Sequence, residues 1–151
     1  MAPEFRGLTW KGVPDPRVNV TNAGRKGFDA VTDLWLSDKW PELGTAIPIA
    51  TWEEAQLIRA EAAARTGDTQ TAVDIINTLH ANAGLPGFDP ATDGNVLEHV
   101  YQERDRELFQ VGGHRLNDML RLGVPFPSGV DHVGQLYGNT TCFPVPIIEL
   151  T

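Results

Sequence analysis

Between Thr51 and Gly84 two long runs of helix-forming residues are separated by a single two-residue break, Gly67-Asp68. No other feature restricts the fold as much. Thr51 and Glu54 have the spacing of a capping box, which predicts a helix from Trp52, and no Pro or Gly interrupts residues 52–66. Gly67 suits the left-handed conformation that ends a helix, and Asp68 suits the cap of the next one. Helices joined by so short a turn must fold back on each other as an antiparallel hairpin. The alanines at 55, 60, 62, 63 and 64 have almost no bulk and let a neighbouring helix come close.

The hairpin is similar in layout to a tetratricopeptide unit. With Gly67 as the turn, Ala60 and Ala72 fall on small positions of that repeat and Ile76 on its aromatic or aliphatic position, whereas Gln56 and Ala63 stand where its first helix has Trp and Tyr. An ordinary helical hairpin is the competing reading.

The flanks differ in kind. Gly and Pro recur throughout residues 1–50 and break up any long periodic element. Asp15-Pro16-Arg17-Val18-Asn19-Val20 is at best extended, and Asp33 to Trp40 shows a strand-like alternation with Leu34 and Leu36 on one side and Trp35 on the other. A segment this irregular is expected to lie on a surface supplied by the helices. After the stop at Gly84-Leu85-Pro86-Gly87, a third helix is predicted from near Asp93 or Asn95 to about Val111, with Leu97, Val100, Tyr101, Leu108 and Val111 as its apolar stripe. Arg104 falls inside that stripe, so it should be partly buried and paired. His114 to Leu122 reads as a short fourth helix closed by Gly123, and the rest as loop, with Cys142 to Leu150 packing in a groove between helices. The expected fold class is therefore mainly α: a tetratricopeptide-like hairpin plus two further helices, with irregular N-terminal and C-terminal segments. The expected organisation is residues 1–50 packed on a helical region 51–151, a single domain overall.

Charge is unevenly distributed. Residues 1–50 have no net charge, and residues 51–151 carry all of the net −8, without a single lysine. Such a surface repels phosphates, which argues against nucleic acid as a partner. No apolar run approaches the ~20 residues that cross a bilayer. Met1 to Gly7 has no apolar stretch of the signal-peptide kind. Cys142 is the one cysteine, so an intrachain disulfide is impossible, and it reads as a small buried hydrophobe.

Three blocks stand in order along the chain. The first is Leu57-Ile58-Arg59-Ala60-Glu61-Ala62 with Gly67-Asp68, Ala72, Ile76-Asn77 and Ala83-Gly84-Leu85-Pro86. The second is Glu103-Arg104-x-x-Glu107-Leu108 with Gly113-His114-Arg115-x-x-Asp118-x-x-Arg121 and Gly123. The third is Phe143-Pro144-Val145-Pro146 with Glu149. Together, over most of residues 13–151, they resemble the C-terminal portion of RagB/SusD-like nutrient-uptake proteins, and Asp15-Pro16-Arg17 resembles members of the same family.

The resemblance implies a non-enzymatic protein on the outer-membrane surface that binds an oligosaccharide or other small nutrient and works with a TonB-dependent transporter. It implies no cofactor and no metal. It further implies that the helices are scaffold and that the ligand site lies mainly in loops. Members of the family are longer, with more helical repeats, a signal peptide and a lipid-anchor Cys. The chain is accordingly expected to be a C-terminal fragment, a shortened version or a stand-alone descendant. A lone repeat cannot bury both faces, so exposed apolar surface or self-association is expected.

Candidate sites follow from residue types. Glu61, Arg104, Glu107, Arg115 and Asp118 read as structural ion pairs, because acids and bases alternate at helical spacings of three and four. Arg104 is expected to pair with Glu61 or Asp118. Trp10, Tyr137, Trp35 and Trp40 are the candidates for stacking on a sugar face, with core packing as the bland alternative. His99, Glu103 and Glu107 recur every fourth residue, the spacing of helical metal ligands, and give an alternative reading as a small metal-assisted ester or lactone hydrolase. The bland reading of that face is a solvated charged stripe. A helical-repeat module for protein contacts is the remaining alternative.

Overall fold

The computed structural model describes residues 3–139. The expected packing of Cys142 to Leu150, and the third family-like block, lie outside those residues. Thr51 Oγ1 accepts the Glu54 N–H, as the capping box requires, and helix α1 runs Trp52–Thr66. Gly67 adopts φ 85° and closes it, at a conformation that a side chain would strain. Asp68 caps α2, Thr69–Asn82, by accepting the Thr71 N–H. Buried Leu57 and Ala60 of α1 meet buried Ala72, Val73, Ile75, Ile76 and Leu79 of α2.

Asn77 holds the chain as it leaves α2. Its amide donates to Phe88 O at 3.1 Å and accepts from Phe88 N at 2.7 Å. A Cβ at Gly87 would stand 3.2 Å from the same side chain, which favours glycine there. A short helix, α3 (Pro90–Asp93), follows where only loop is predicted, because Asp89 caps it and Pro90 fits its first turn. Asn95 then caps α4, Val96–Glu107, which packs against both α1 and α2. Its Val100 and Leu108 complete the apolar core with Leu57, Ile76, Leu79 and Phe88. The helix stops at Glu107 instead of reaching Val111, because Gln110 takes φ 56° and turns the chain. Phe109 is thereby released into a second apolar cluster with Val18 and Val20.

Residues before α1 form two small antiparallel ladders: β1 (Thr9–Trp10) with β2 (Val13–Pro14), and β3 (Val20–Lys26) with β4 (Asp33–Ser37). β4 pairs Trp35 with Asn22 and Leu36 with Thr21. Between the ladders, Pro16–Val18 is a 3-10 turn and not extended chain, because Asp15 caps it and Pro16 fixes its first φ.

Backbone contacts group Met1–Arg115 as one compact unit and Leu116–Thr151 as another, a division that falls inside the last helix, α5 (His114–Leu122). In the second unit Asp118 accepts from Arg121 Nη2 at 2.8 Å, Val124 N donates to Met119 O, and Val130 and Leu136 form an isolated antiparallel bridge. Among the described residues no helix is long and apolar enough to cross a membrane.

Candidate functional site

The most concentrated polar chemistry lies where the N-terminal arm meets α2 and α4. The 3-10 turn after Asp15 presents Arg17. Its Nε and Nη2 donate to the two Asp15 oxygens at 2.9 and 2.8 Å, and its Nη1 donates to Glu103 Oε2 at 2.6 Å and Glu107 Oε2 at 3.3 Å. Arg106 adds a 3.3 Å contact to Asp15. A planar guanidinium fits this arrangement because its fork can serve several carboxylates in one plane. Burial works against the charge on Arg17, but the hydrogen bonds and charges of Asp15 and Glu103 outweigh it and raise its pKa further.

Glu103 sits one turn after His99 on α4, and α2 brings His80 to the same point. His80 Nε2 lies 3.0 Å and His99 Nε2 3.7 Å from Glu103 Oε1. His80 Nδ1 faces the Pro86 carbonyl at 2.7 Å and donates to it, since a carbonyl oxygen can only accept. Burial pushes the Glu103 carboxyl up, yet the His80 ring and the Arg17 guanidinium overcome this and hold it near 2. Burial dominates at His99 and pushes it down to about 4, against the pull of Glu103, so that imidazole is neutral at pH 7. Burial raises Glu107, with Arg17 opposing, and lowers Lys39.

Sequence-predicted residues divide three ways. His99 and Glu103 do come together, but they are buried, at 3% and 1% exposure, and are not part of a solvated stripe. Glu107 joins them only through Arg17. Arg104 and Glu61 are both buried, on helices that pack against each other, and Glu61 Oε1 also accepts from Arg65 Nε at 2.8 Å. Arg115 meets Asp105 at 3.2 Å.

Among the aromatic candidates, Trp10 donates its indole N–H to Pro86 O at 2.8 Å, and its ring lies against His80, Phe88 and His99. Trp35 is half-buried under the Arg6 guanidinium, 4.7 Å from the ring. Trp40 is half-buried, with its indole N–H reaching Gln110 O at 3.3 Å. Tyr137 is exposed in the second unit. A cleft of about 340 Å³ is lined by Pro16, Arg17, Asn19, Asp38, Lys39 and Glu107; Trp40 follows Lys39 in sequence but is not part of that lining.

Sequence reasoning missed His80 and the bridging role of Arg17. His80 was detectable in principle, since it continues the inward stripe of Ala72, Val73, Ile76 and Leu79. Arg17 was not, because nothing local marks partners 86 and 90 residues away.

Residues 54–138, more than half of the chain, match the SusD family model. The chain belongs to the SusD family. Proteins of this family bind glycans and other nutrients and are associated with the outer membrane. The match runs from the first turn of α1 through α5, so the SusD-type region includes α2 and α4 and their His80, His99 and Glu103. No curated protein and no solved structure matches this SusD-family chain.

Proposed function

We propose that this protein is a non-enzymatic glycan- or nutrient-binding protein of SusD type, or the C-terminal part of one, that works at the outer-membrane surface with a TonB-dependent transporter. The family match over residues 54–138 carries this reading. The tetratricopeptide-like hairpin serves as scaffold. The polar cleft supplies the Asn19 amide, the Asp38 and Glu107 carboxylates and the Lys39 ammonium for sugar hydroxyls, and Trp40, next in sequence to Lys39, is the stacking candidate for an apolar ring face. Trp35 and, separately, Tyr137 of the second unit are further stacking candidates. Trp10 contributes through packing, since its ring and its N–H are engaged inside the protein.

Oligosaccharide binding measured on a glycan array and then by calorimetry tests this. A specific glycan whose affinity drops at least about tenfold in Trp40→Ala supports Trp40 as the stacking surface, on the scale of a lost stacking contact, and a loss in Asn19→Ala supports the cleft. Absence of binding across neutral and acidic glycans, together with a chelator-sensitive esterase or lactonase activity, would transfer the function to the His99, Glu103 and Glu107 hydrolase reading. The burial of His99 and Glu103 speaks against that reading, because a substrate would reach them only after the arm moved. Self-association through exposed Trp52 and Ile58 on α1, and through Leu43, Ile47 and Ile49 ahead of it, is read by light scattering.

A further inference from the structure

The two imidazoles of the buried cluster come from different helices and aim at one oxygen. His80 Nε2, His99 Nε2 and Glu103 Oε1 all lie within 4.8 Å of one another, on residues 1%, 3% and 1% exposed. Both Nε2 atoms are shut off from water, and among the described residues neither has a hydrogen-bond partner. His80 Nε2 stands 3.0 Å from Glu103 Oε1, an ion pair only when His80 carries a proton on both ring nitrogens. An orphaned buried polar atom costs about 1–3 kcal/mol, and two side by side call for a common partner. A second proton on His80 would satisfy one of them and leave His99 Nε2 stranded at 3.7 Å.

We propose that His80 Nε2, His99 Nε2 and Glu103 Oε1 hold a divalent transition-metal ion of the zinc class. In a tetrahedral site with bonds of about 2.0–2.2 Å, donor atoms stand roughly 3.3–3.6 Å apart. The observed 3.0 and 3.7 Å from the two imidazoles to Glu103 bracket that spacing, and the three donors lie within 4.8 Å of one another, so closing on an ion draws the two rings towards a common point. Two imidazoles and one carboxylate are a ligand set such ions accept.

The surroundings also fit. A ligating histidine usually gives its other ring N–H to a carbonyl or carboxylate, which fixes the tautomer. His80 does this with Pro86 O at 2.7 Å, leaving its Nε2 lone pair for the ion. Arg17 holds Glu103 Oε2 at 2.6 Å and reaches Oε1 only at 3.3 Å, so Oε1 keeps a lone pair for the ion. Phe88 stacks on the His99 ring at 4.1 Å and Trp10 covers it at 4.7 Å, so the ion would be enclosed. Enclosure makes its role structural: it ties α2 to α4 and, through Arg17, to the N-terminal arm. The fourth ligand of such a site would be a water carried in with the ion. Glu107, which sequence spacing placed in a ligand set, is replaced in that role by His80 from the neighbouring helix. This site is independent of the nutrient-binding reading.

The test is refolding of the full chain with Zn²⁺ or Co²⁺, dialysis, and metal analysis. The expected result is about one ion per chain, a Co²⁺ visible spectrum of the tetrahedral type, and a melting temperature that falls when a chelator strips the ion. His99→Phe preserves the stacked ring and removes a ligand. It should fold by circular dichroism, lose at least about a hundredfold in Zn²⁺ affinity, and melt at a temperature the chelator does not change. If His99→Phe does not fold, the Co²⁺ spectrum of the natural chain decides alone. A chain that refolds without retaining metal, or a Co²⁺ spectrum that stays octahedral, would overturn the site. Ring-nitrogen NMR showing His80 protonated at both positions in zinc-treated protein would do the same.

Discussion

The helical clasp and the arm that lies on it are held by opposite means. α1, α2 and α4 share an apolar core in which Leu57, Ala60, Ile76 and Val100 are fully buried. The arm before α1 has short ladders and much exposed surface, and it is fastened at a few polar points: Trp10 to Pro86, Lys11 to Gly87, Arg17 to Glu103 and Lys39 to Glu107. Apolar burial is spread over many atoms and tolerates small losses. A charged anchor does not, because removing one partner leaves the other buried and uncompensated.

Four substitutions or conditions sharpen that contrast. The largest effect is expected from Arg17→Met, which strands the Asp15 and Glu103 carboxylates; urea denaturation should show a loss of about 4 kcal/mol. A loss under about 1 kcal/mol would mean that the arm merely rests on the helices, and the contrast would collapse. Ile76→Ala cuts into the clasp and should cost about 3 to 4 kcal/mol, with the arm's contacts unchanged by NMR.

Third is pH, with any metal removed by chelator. His99 faces Glu103, His80, Arg106 and Asp93, and its pKa falls from 6.5 to about 4 on folding. The unfolded chain therefore takes up a proton that the native state refuses. Stability from this group is complete above about pH 6.5 and declines towards pH 4, by about 3 kcal/mol. Glu103, held near 2, extends the loss below pH 4.5. Denaturant midpoints measured across pH 7 to 4 should slope downwards, and His99→Phe should remove most of that slope. Smallest is Thr51→Ala, which deletes the α1 cap and should cost about 1 kcal/mol in the same assay.

The clasp was legible in the sequence because its signals are local. Thr51, Gly67, Asp68 and Asn95 each act within a few residues, and the structure places a helix end at every one of them. The end of α4 was misjudged by about one turn because Gln110, an ordinary residue by propensity, takes a left-handed conformation that lets Phe109 reach Val18 and Val20. That cause is tertiary. The polar cluster was half legible for the same reason: spacing along one helix pairs His99 with Glu103, whereas His80 and Arg17 join only after α2 and the arm have folded against α4. Burial of that helix face likewise turned an apparently solvated stripe into an enclosed network.

Arg17 has a consequence for the order of events during synthesis. Its guanidinium finds Glu103 and Glu107 only after another 86 and 90 residues have been made. At roughly 5–20 residues per second, the arm waits about five to twenty seconds beside the ribosome with no seat to occupy. During that interval Phe5, Leu8 and Trp35 are bare to chaperones and proteases, and docking of the arm is a late step that the finished helices must wait for.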